Sequence, residues 1–360
     1  MFRTLISALT PGRARPVRPL PFDLLTEPTV SSLAARPAAR IIDSFECIEG
    51  IPVPDWGAFS DWLEDLAGEQ MRAQAWSEAE QIWLAHLGTA LGPSYRLARQ
   101  GDCLILSCMA DRQLTSLFDF IRGKSRQITR LLDGLAGQPE WGHAILIVFA
   151  DHESYYRYVS RYYPEAGEFG LSAGMQISAG CSHFVMVQDD FTTLEPTIVH
   201  EMTHNYLSHL PIPVWLNEGI AVNMEVQLCR SALTDLGPQQ MREKHQQFWD
   251  EAHIQEFWSG QSFRRSDDAN LLSYDLARIL VARFSADWPR FRAFANAAQA
   301  DDAGAASANE HLDIALGTVA MAIIDALEQG GDWHPAPARW PALPEPGGFA
   351  LQPHGMWSGR

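Results

Sequence analysis

Apolar residues recur at the spacing of an α-helix through much of the N-terminal part of this chain. One stripe begins at Trp56 and a second at Trp76, and together they predict a pair of amphipathic helices. A longer stripe over residues 114–135 predicts a third helix. Between them, Gln100-Gly101-Asp102 separates two short apolar runs and indicates a β-hairpin. We therefore expect a mostly helical N-terminal domain with one hairpin over residues 41–137.

The pattern changes after residue 137, where short apolar runs alternate with helical stripes. Residues 143–150 and 183–188 predict buried strands, whereas residues 192–210, 214–227 and 273–284 predict helices. The chain is therefore assigned to the α+β class, with a small mixed sheet and a helical C-terminal part in one domain over residues 138–330. Residues 1–40 are rich in proline and arginine and predict a flexible arm, and residues 331–360 predict an irregular tail containing prolines and tryptophans.

Charge narrows the possible partners. The chain carries 44 acidic and 27 basic residues, for a formal net charge of −17. Such a surface repels polyanions, which excludes nucleic acid as a partner. The acidity would suit a basic substrate, although an acidic surface kept for solubility is the commoner cause. No stretch reaches the ~18 consecutive apolar residues that indicate a membrane span.

The cysteines bear on the cellular compartment. All five are scattered, without a Cys-x-x-Cys pair. An odd, unpatterned set is typical of reduced thiols and favours a cytoplasmic protein. The N-terminus offers only the short apolar run Leu5-Ile6-Ser7-Ala8-Leu9, so a weak export signal stays open as the alternative.

The segment His200-Glu201-Met202-Thr203-His204 is the strongest chemical signal in the chain. Histidines four residues apart on a helix lie about 40° from a common face and roughly 6 Å apart along the axis, so both imidazoles can reach one ion. Glu201 lies about 100° round the helix from His200, off the ligand face, where it can act on a water molecule. The same segment also arises by chance, and its histidines are then hydrogen-bonded core residues.

A catalytic zinc site needs a third protein ligand, for which Glu218 is the best candidate. It lies 14 residues after His204, which on one continuous helix would be roughly 21 Å away, so the chain must reverse between them. Leu210-Pro211-Ile212-Pro213 predicts such a reversal. A second helix over residues 214–227 would then return Glu218 to the two histidines.

Together, these segments resemble the gluzincins, and in particular the bacterial peptidase MA-like metallopeptidases. Trp215-Leu216-Asn217-Glu218-Gly219-Ile220-Ala221 is similar to the WLNEGxA segment of that family, and it follows the His-Glu-x-x-His segment after a short loop. The resemblance covers residues 144–284. It implies a zincin-like catalytic region in which His200, His204 and Glu218 hold Zn²⁺ and Glu201 is the general base.

The resemblance implies three further features. The strand over residues 183–188 would pair with an extended peptide substrate, although an interior strand would show the same apolar run. Tyr274 would hydrogen-bond the oxyanion, with a tyrosine packed in the core as the alternative. The run Ala173-Gly174-Met175-Gln176 lacks the glutamate with which related exopeptidases hold a free amine, and this slightly favours internal cleavage.

The sequence thus predicts zinc-dependent hydrolysis of a peptide bond in a peptide or protein substrate. Glu201 would take the proton of an activated water and pass it to the leaving amine. The alternative from another class is a noncatalytic binding or scaffold protein that retains the fold and a structural zinc. Glu201 favours the enzyme, because a protein that needs only the metal has no use for the base.

Overall fold

The computed structural model describes residues 20–25, 40–137, 142–162, 174–188, 191–231, 233–328 and 330–340. Its first elements are β1 (Asp23–Leu25), β2 (Phe45–Ile48), β3 (Ile51–Pro54), α1 (Trp56–Glu64), α2 (Glu69–Leu91), β4 (Arg96–Gln100), β5 (Cys103–Ser107) and α3 (Asp111–Leu131). The predicted helical pair, hairpin and long helix are therefore confirmed.

The rest of the chain is mostly helical around three further strands. The elements are β6 (Ala144–Phe149), α4 (His152–Val159), β7 (Gly174–Ala179), β8 (Cys181–Val187), α5 (Phe191–Leu207), α6 (Val214–Cys229), α7 (Pro238–Phe248), α8 (His253–Ser259), α9 (Asp268–Phe284), α10 (Trp288–Ala297), α11 (Ala305–Leu312) and α12 (Leu316–Ile324). Among the described residues, no helix combines the length and hydropathy needed to cross a membrane. The protein is of mixed α and β structure, as the sequence predicted.

Within the described part of the chain, six strands form one mixed sheet in the order β1-β4-β5-β6-β8-β7. The strands β5, β6 and β8 run parallel to one another, whereas β7 and β4 pair antiparallel to their neighbours. Because β5 pairs with β6, the sheet continues across residue 137, where the sequence suggested a division between two domains. Part of the predicted arm also joins the sheet, since β1 pairs with β4, while residues 1–19 and 26–39 lie outside the described residues.

Helices cover both faces of this sheet. Alternate residues of β6 point to opposite sides, so that Ile145 and Ile147 pack with α1, α2 and α4. Leu146 and Val148 pack instead with α3 and α5. The active-site helix predicted from the sequence therefore lies directly on the sheet, with its Ile198 in that second layer.

The C-terminal helices build a separate apolar core around the second predicted helix. Trp215, at the start of α6, is fully buried, and its indole N–H donates to the carbonyl oxygen of Ala303 at 3.0 Å. The helix begins at Val214, as predicted, with Pro213 as its N-cap. The preceding helix, α5, ends at Leu207, earlier than the predicted end near Leu210.

A close crossing of two helices fixes the position of α6. A Cβ atom added to Gly219 of α6 would lie 2.6 Å from the carbonyl oxygen of Ala277 on α9, closer than real contacts allow. Asn223 joins the same two helices, because its side-chain amide donates to the carbonyl oxygens of Gly219 and Arg278 at 2.6 and 3.0 Å. The glycine after Glu218 is therefore required by packing between helix backbones.

We expect Gly219→Ala to lower the free energy of unfolding by roughly 1–3 kcal/mol, because the added methyl group must push the two helix backbones apart. Gly123→Ala on α3 is the matched control, since a Cβ there would have no neighbour within 4 Å. Alanine has the higher helix propensity, so this control should gain up to about 1 kcal/mol. Urea unfolding measures both changes, and equal stability of Gly219→Ala and the wild type would contradict the packing argument.

Candidate metal centre

Two helices bring the three predicted ligands together. His200 and His204 lie on consecutive turns of α5, and their ring centroids are 4.7 Å apart. Glu218 lies in the second turn of α6, which packs against α5. Its Oε2 lies 3.3 Å from His200 Nε2 and 3.5 Å from His204 Nε2. The reversal predicted from the proline-containing loop therefore places the carboxylate beside both imidazoles.

The geometry of this cluster suits a tetrahedral ion. The three side chains can each offer one ligand atom such that all lie within 4.8 Å of one another. Zinc bonds of about 2.0–2.2 Å at tetrahedral angles place neighbouring ligand atoms roughly 3.4 Å apart. The two distances from Glu218 Oε2 to the imidazole nitrogens, 3.3 and 3.5 Å, match that spacing. Two histidines and one carboxylate are also a donor set typical of catalytic zinc.

A second set of side chains orients the imidazoles. His204 Nδ1 lies 3.0 Å from Asn217 Oδ1, and His200 Nδ1 lies 3.3 Å from Glu225 Oε2. Because both partners are acceptors, each Nδ1 can donate to its partner while each Nε2 faces Glu218. The hydroxyl of Ser231 donates to the other oxygen of Glu225 at 2.9 Å. These contacts are the outer partners that a metal-binding histidine normally has.

The sequence interpretation missed Glu225. Its position carries a signal, because it lies seven residues after Glu218 on α6 and so returns to nearly the same face two turns later. Carboxylates at this spacing are common on solvated helix faces, and the pattern alone does not separate the two cases.

The cluster attracts positive charge. Burial by itself lowers the pKa of His200, but the hydrogen bonds with Glu218 and Glu225 outweigh it and raise that pKa to about 10. For His204, burial is likewise opposed, chiefly by the charge of Glu218, and the pKa rises above its usual value. Without a metal ion the carboxylates therefore retain protons on the imidazoles. A bound cation would displace these protons and meet the same electrostatic demand.

Glu201 lies apart from the ligand face, as the helix geometry predicted. Only 2% of its surface is exposed. Burial raises its pKa to about 7, against the opposing effect of His204 and His200. Its side chain lines a cavity of about 60 Å³ between α5 and the sheet, with apolar walls from residues such as Phe184 and Ile198. A carboxylate with a pKa near neutrality in such a position is suited to proton transfer.

Tyr274 lies beside the cluster. Its ring centroid is 6.4 Å from that of His200, and the residue is 9% exposed. Burial, followed by the charges of Glu218 and Glu201, raises the pKa of its hydroxyl well above the usual value. The hydroxyl therefore keeps its proton at neutral pH and can act as a hydrogen-bond donor. The sequence placed this residue at the site on family resemblance alone, and the structure puts it next to a predicted ligand.

The strand predicted to bind substrate is in the interior of the sheet. Strand β8 pairs with β6 on one side and β7 on the other, so its backbone cannot accept a peptide, and this prediction is wrong. The apolar run of β8 reflects burial on both faces, the alternative that the sequence had left open. Among the strands that the structure describes, β7 lies at the end of the sheet, and it contacts α5. It carries Gln176, whose amide donates to the hydroxyl of Ser182.

Comparisons with known proteins give no independent identification. No protein-family model, no curated protein and no solved structure matches this chain. The resemblance to peptidase MA-like proteins thus remains a prediction that depends on the segments containing the cluster.

We expect the purified protein to bind one Zn²⁺ per chain and His204→Ala to lower its affinity for zinc by more than 100-fold. Loss of a hydrogen-bond partner behind a ligand typically lowers metal affinity by about 10–100-fold, and loss of a direct ligand lowers it further. The matched control is His209→Ala, which removes an exposed histidine that lies outside the cluster just beyond α5. Competition with a chromogenic chelator measures the affinities, and full zinc occupancy in His204→Ala would refute the ligand assignment.

Proposed function

We propose that this protein is a zinc-dependent peptidase of the gluzincin type. The observation that supports it most is the division of roles on α5. His200 and His204 face Glu218, while Glu201 is buried off the ligand face, among the residues that line a cavity between α5 and the sheet, with its pKa raised to about 7. A metal-ligand cluster beside a carboxylate that is not a ligand is the arrangement that metal-assisted hydrolysis requires.

His200, His204 and Glu218 would hold the ion. When bound, the ion would supply a Lewis acid that polarises a carbonyl group and lowers the pKa of the water that attacks it. Glu201 takes the proton that the attacking water loses and passes it to the leaving amine. Tyr274 donates a hydrogen bond to the carbonyl oxygen as negative charge develops on it. Asn217 and Glu225 keep the two imidazoles in the orientation and tautomer that metal binding needs.

The substrate is an extended peptide that pairs with the edge strand β7. This strand lies next to α5, and backbone pairing with a sheet edge is a general way to hold a peptide without regard to its sequence. Gln176, on this strand, occupies the position at which the related exopeptidases have a glutamate. A neutral amide bonded to Ser182 offers no charge to a free amino terminus, which supports cleavage within a chain.

We place the enzyme in the cytoplasm. All five cysteines are free thiols, including the exposed Cys47. Reduced thiols are typical of that compartment.

Glu201→Gln is expected to abolish hydrolysis while zinc content and fold are preserved, because glutamine keeps the size of the side chain but cannot accept the proton. Glu195→Gln is the matched control on the same helix, and it should retain full turnover. Cleavage of a peptide library, followed by rates on one responsive peptide, provides the measurement. Equal rates for Glu201→Gln and wild type would show that Glu201 is not the base. If a zinc-loaded wild type cleaves nothing in the library, a scaffold role replaces the enzyme.

Tyr274→Phe is expected to lower turnover about 100-fold or more with little change in zinc content, since removal of one oxyanion donor typically costs 10²–10³ in rate. Tyr162→Phe is the control for loss of a buried hydroxyl, because the Tyr162 hydroxyl bonds Tyr158 on the far face of the sheet. Steady-state kinetics should show the loss in kcat for Tyr274→Phe alone. A comparable loss in both variants, or none in either, would remove Tyr274 from the mechanism.

A further inference from the structure

A second cavity lies among the C-terminal helices, away from the proposed active site. It has a volume of about 490 Å³ and is bounded by α6, α7, α9, α12 and the loop after α6. Its walls are mainly aliphatic, with Val226, Met241, Ile279 and Ile324 among them. None of the predicted ligands lines it, and neither do Glu201 and Tyr274; Ser231, which donates to Glu225, is the one lining residue shared with the surroundings of the proposed metal site. The volume is in the range of sites that bind small organic molecules.

Two arginines and one acidic residue line this cleft in a strongly acidic protein. Arg242 and Arg278 line it, and Asp275 is the only acidic residue in the lining, although the chain as a whole has a net charge of −17. Arg242 lies 3.8 Å from Asp325, with both side chains about two-thirds exposed (68% and 66%). A pair so long and so exposed contributes little, which leaves the Arg242 guanidinium able to turn to a ligand.

The one acidic residue already has its partners. Arg278 donates from Nε and Nη2 to the same oxygen of Asp275, at 3.0 and 2.7 Å. The other oxygen lies 3.0 Å from His245 Nε2. The indole N–H of Trp249 donates to His245 Nδ1 at 2.8 Å, so Nδ1 is the acceptor. The Nε2 atom therefore carries the proton and donates a hydrogen bond to Asp275. The carboxylate is thus fixed in the wall, and the Nη1 group of Arg278 remains as a donor for another anion.

From this combination we propose that the cleft binds a small aliphatic carboxylate. The hydrocarbon body would lie against the aliphatic walls, and the carboxylate would meet Arg242 and Arg278, whose planar donors suit it. A free fatty acid and the C-terminus of a short aliphatic peptide share this chemistry. The proposal does not depend on zinc or on hydrolysis, because none of its residues belongs to the proposed active site.

Titration calorimetry on the full chain tests the proposal, with decanoate as the probe and decanol as its uncharged counterpart. Decanoate should bind at least about 10-fold more tightly than decanol, because a paired charge adds to the same apolar contact. N-acetyl-Leu-Leu and its C-terminal amide form the second arm. Preference for the acid over the amide, with decanoate bound weakly, would identify a peptide C-terminus as the source.

Three variants locate the binding. Arg242→Gln should weaken decanoate binding roughly 5- to 10-fold by removing one exposed charge partner. Arg283→Gln, an exposed arginine on α9 outside the cleft lining, should leave it unchanged. Ile279→Trp should abolish binding, since this half-buried side chain can extend into the cleft without entering the core. Circular dichroism checks that each variant is folded.

Equal affinity for the acid and its uncharged counterpart in both probe pairs, undiminished binding by Ile279→Trp, or no binding of any probe would overturn the proposal. The hydrolysis-deficient Glu201→Gln should bind decanoate as the wild type does. Loss of peptidase activity and loss of cleft binding are therefore separate outcomes.

Discussion

The proposed site depends on two carboxylates that lie two turns apart on α6. These are Glu218 and Glu225, and they hold the imidazole of His200 between them. The side chain of Glu218 is 1% exposed, and each carboxylate lies 3.3 Å from one nitrogen of the imidazole. Carboxylates in an apolar helical core are costly unless they are paired. The histidines of α5 supply that pairing, and a cation at their Nε2 atoms would complete it. The antiparallel packing of α5 on α6 is thus an electrostatic as well as an apolar contact.

The close crossing of α6 and α9 positions further residues around the proposed site. Gly219 allows the two backbones to approach at Ala277, and the same turn of α9 holds Tyr274 beside His200 and the neighbouring Asp275 in the wall of the second cleft. A larger side chain at residue 219 would shift α9 as a unit, since protein interiors are close-packed and transmit strain. The position of Tyr274 beside His200 therefore depends on the absence of a side chain at residue 219, one residue after the proposed ligand Glu218.

The features that could be predicted from the sequence are those with local causes. The spacing of His200 and His204, the proline-containing reversal and the return of Glu218 depend on helix geometry over fewer than 30 residues, and the structure agrees with them. Strand order depends on pairing between distant segments, so an apolar run such as β8 indicates burial without showing which strands flank it. The same limit explains why β5 and β6 were assigned to different domains although they are neighbours in one sheet.

The free-energy cost of burying Glu201 bears on whether the protein is an enzyme or a metal-binding scaffold. Its pKa rises from an ordinary value of 4.5 to about 7 in the folded protein. Because the folded state holds the proton more tightly than the unfolded state, stability is lost as the pH rises from 4.5 to 7, by about 3 kcal/mol in total. An ion held by His200, His204 and Glu218 would offset part of this penalty through its charge, but a site that only holds a structural ion does not need a fourth, non-ligand carboxylate. A buried acid with a pKa near neutrality, next to a proposed ligand on the same helix, is suited to proton transfer, and this favours the proposed enzyme over the scaffold.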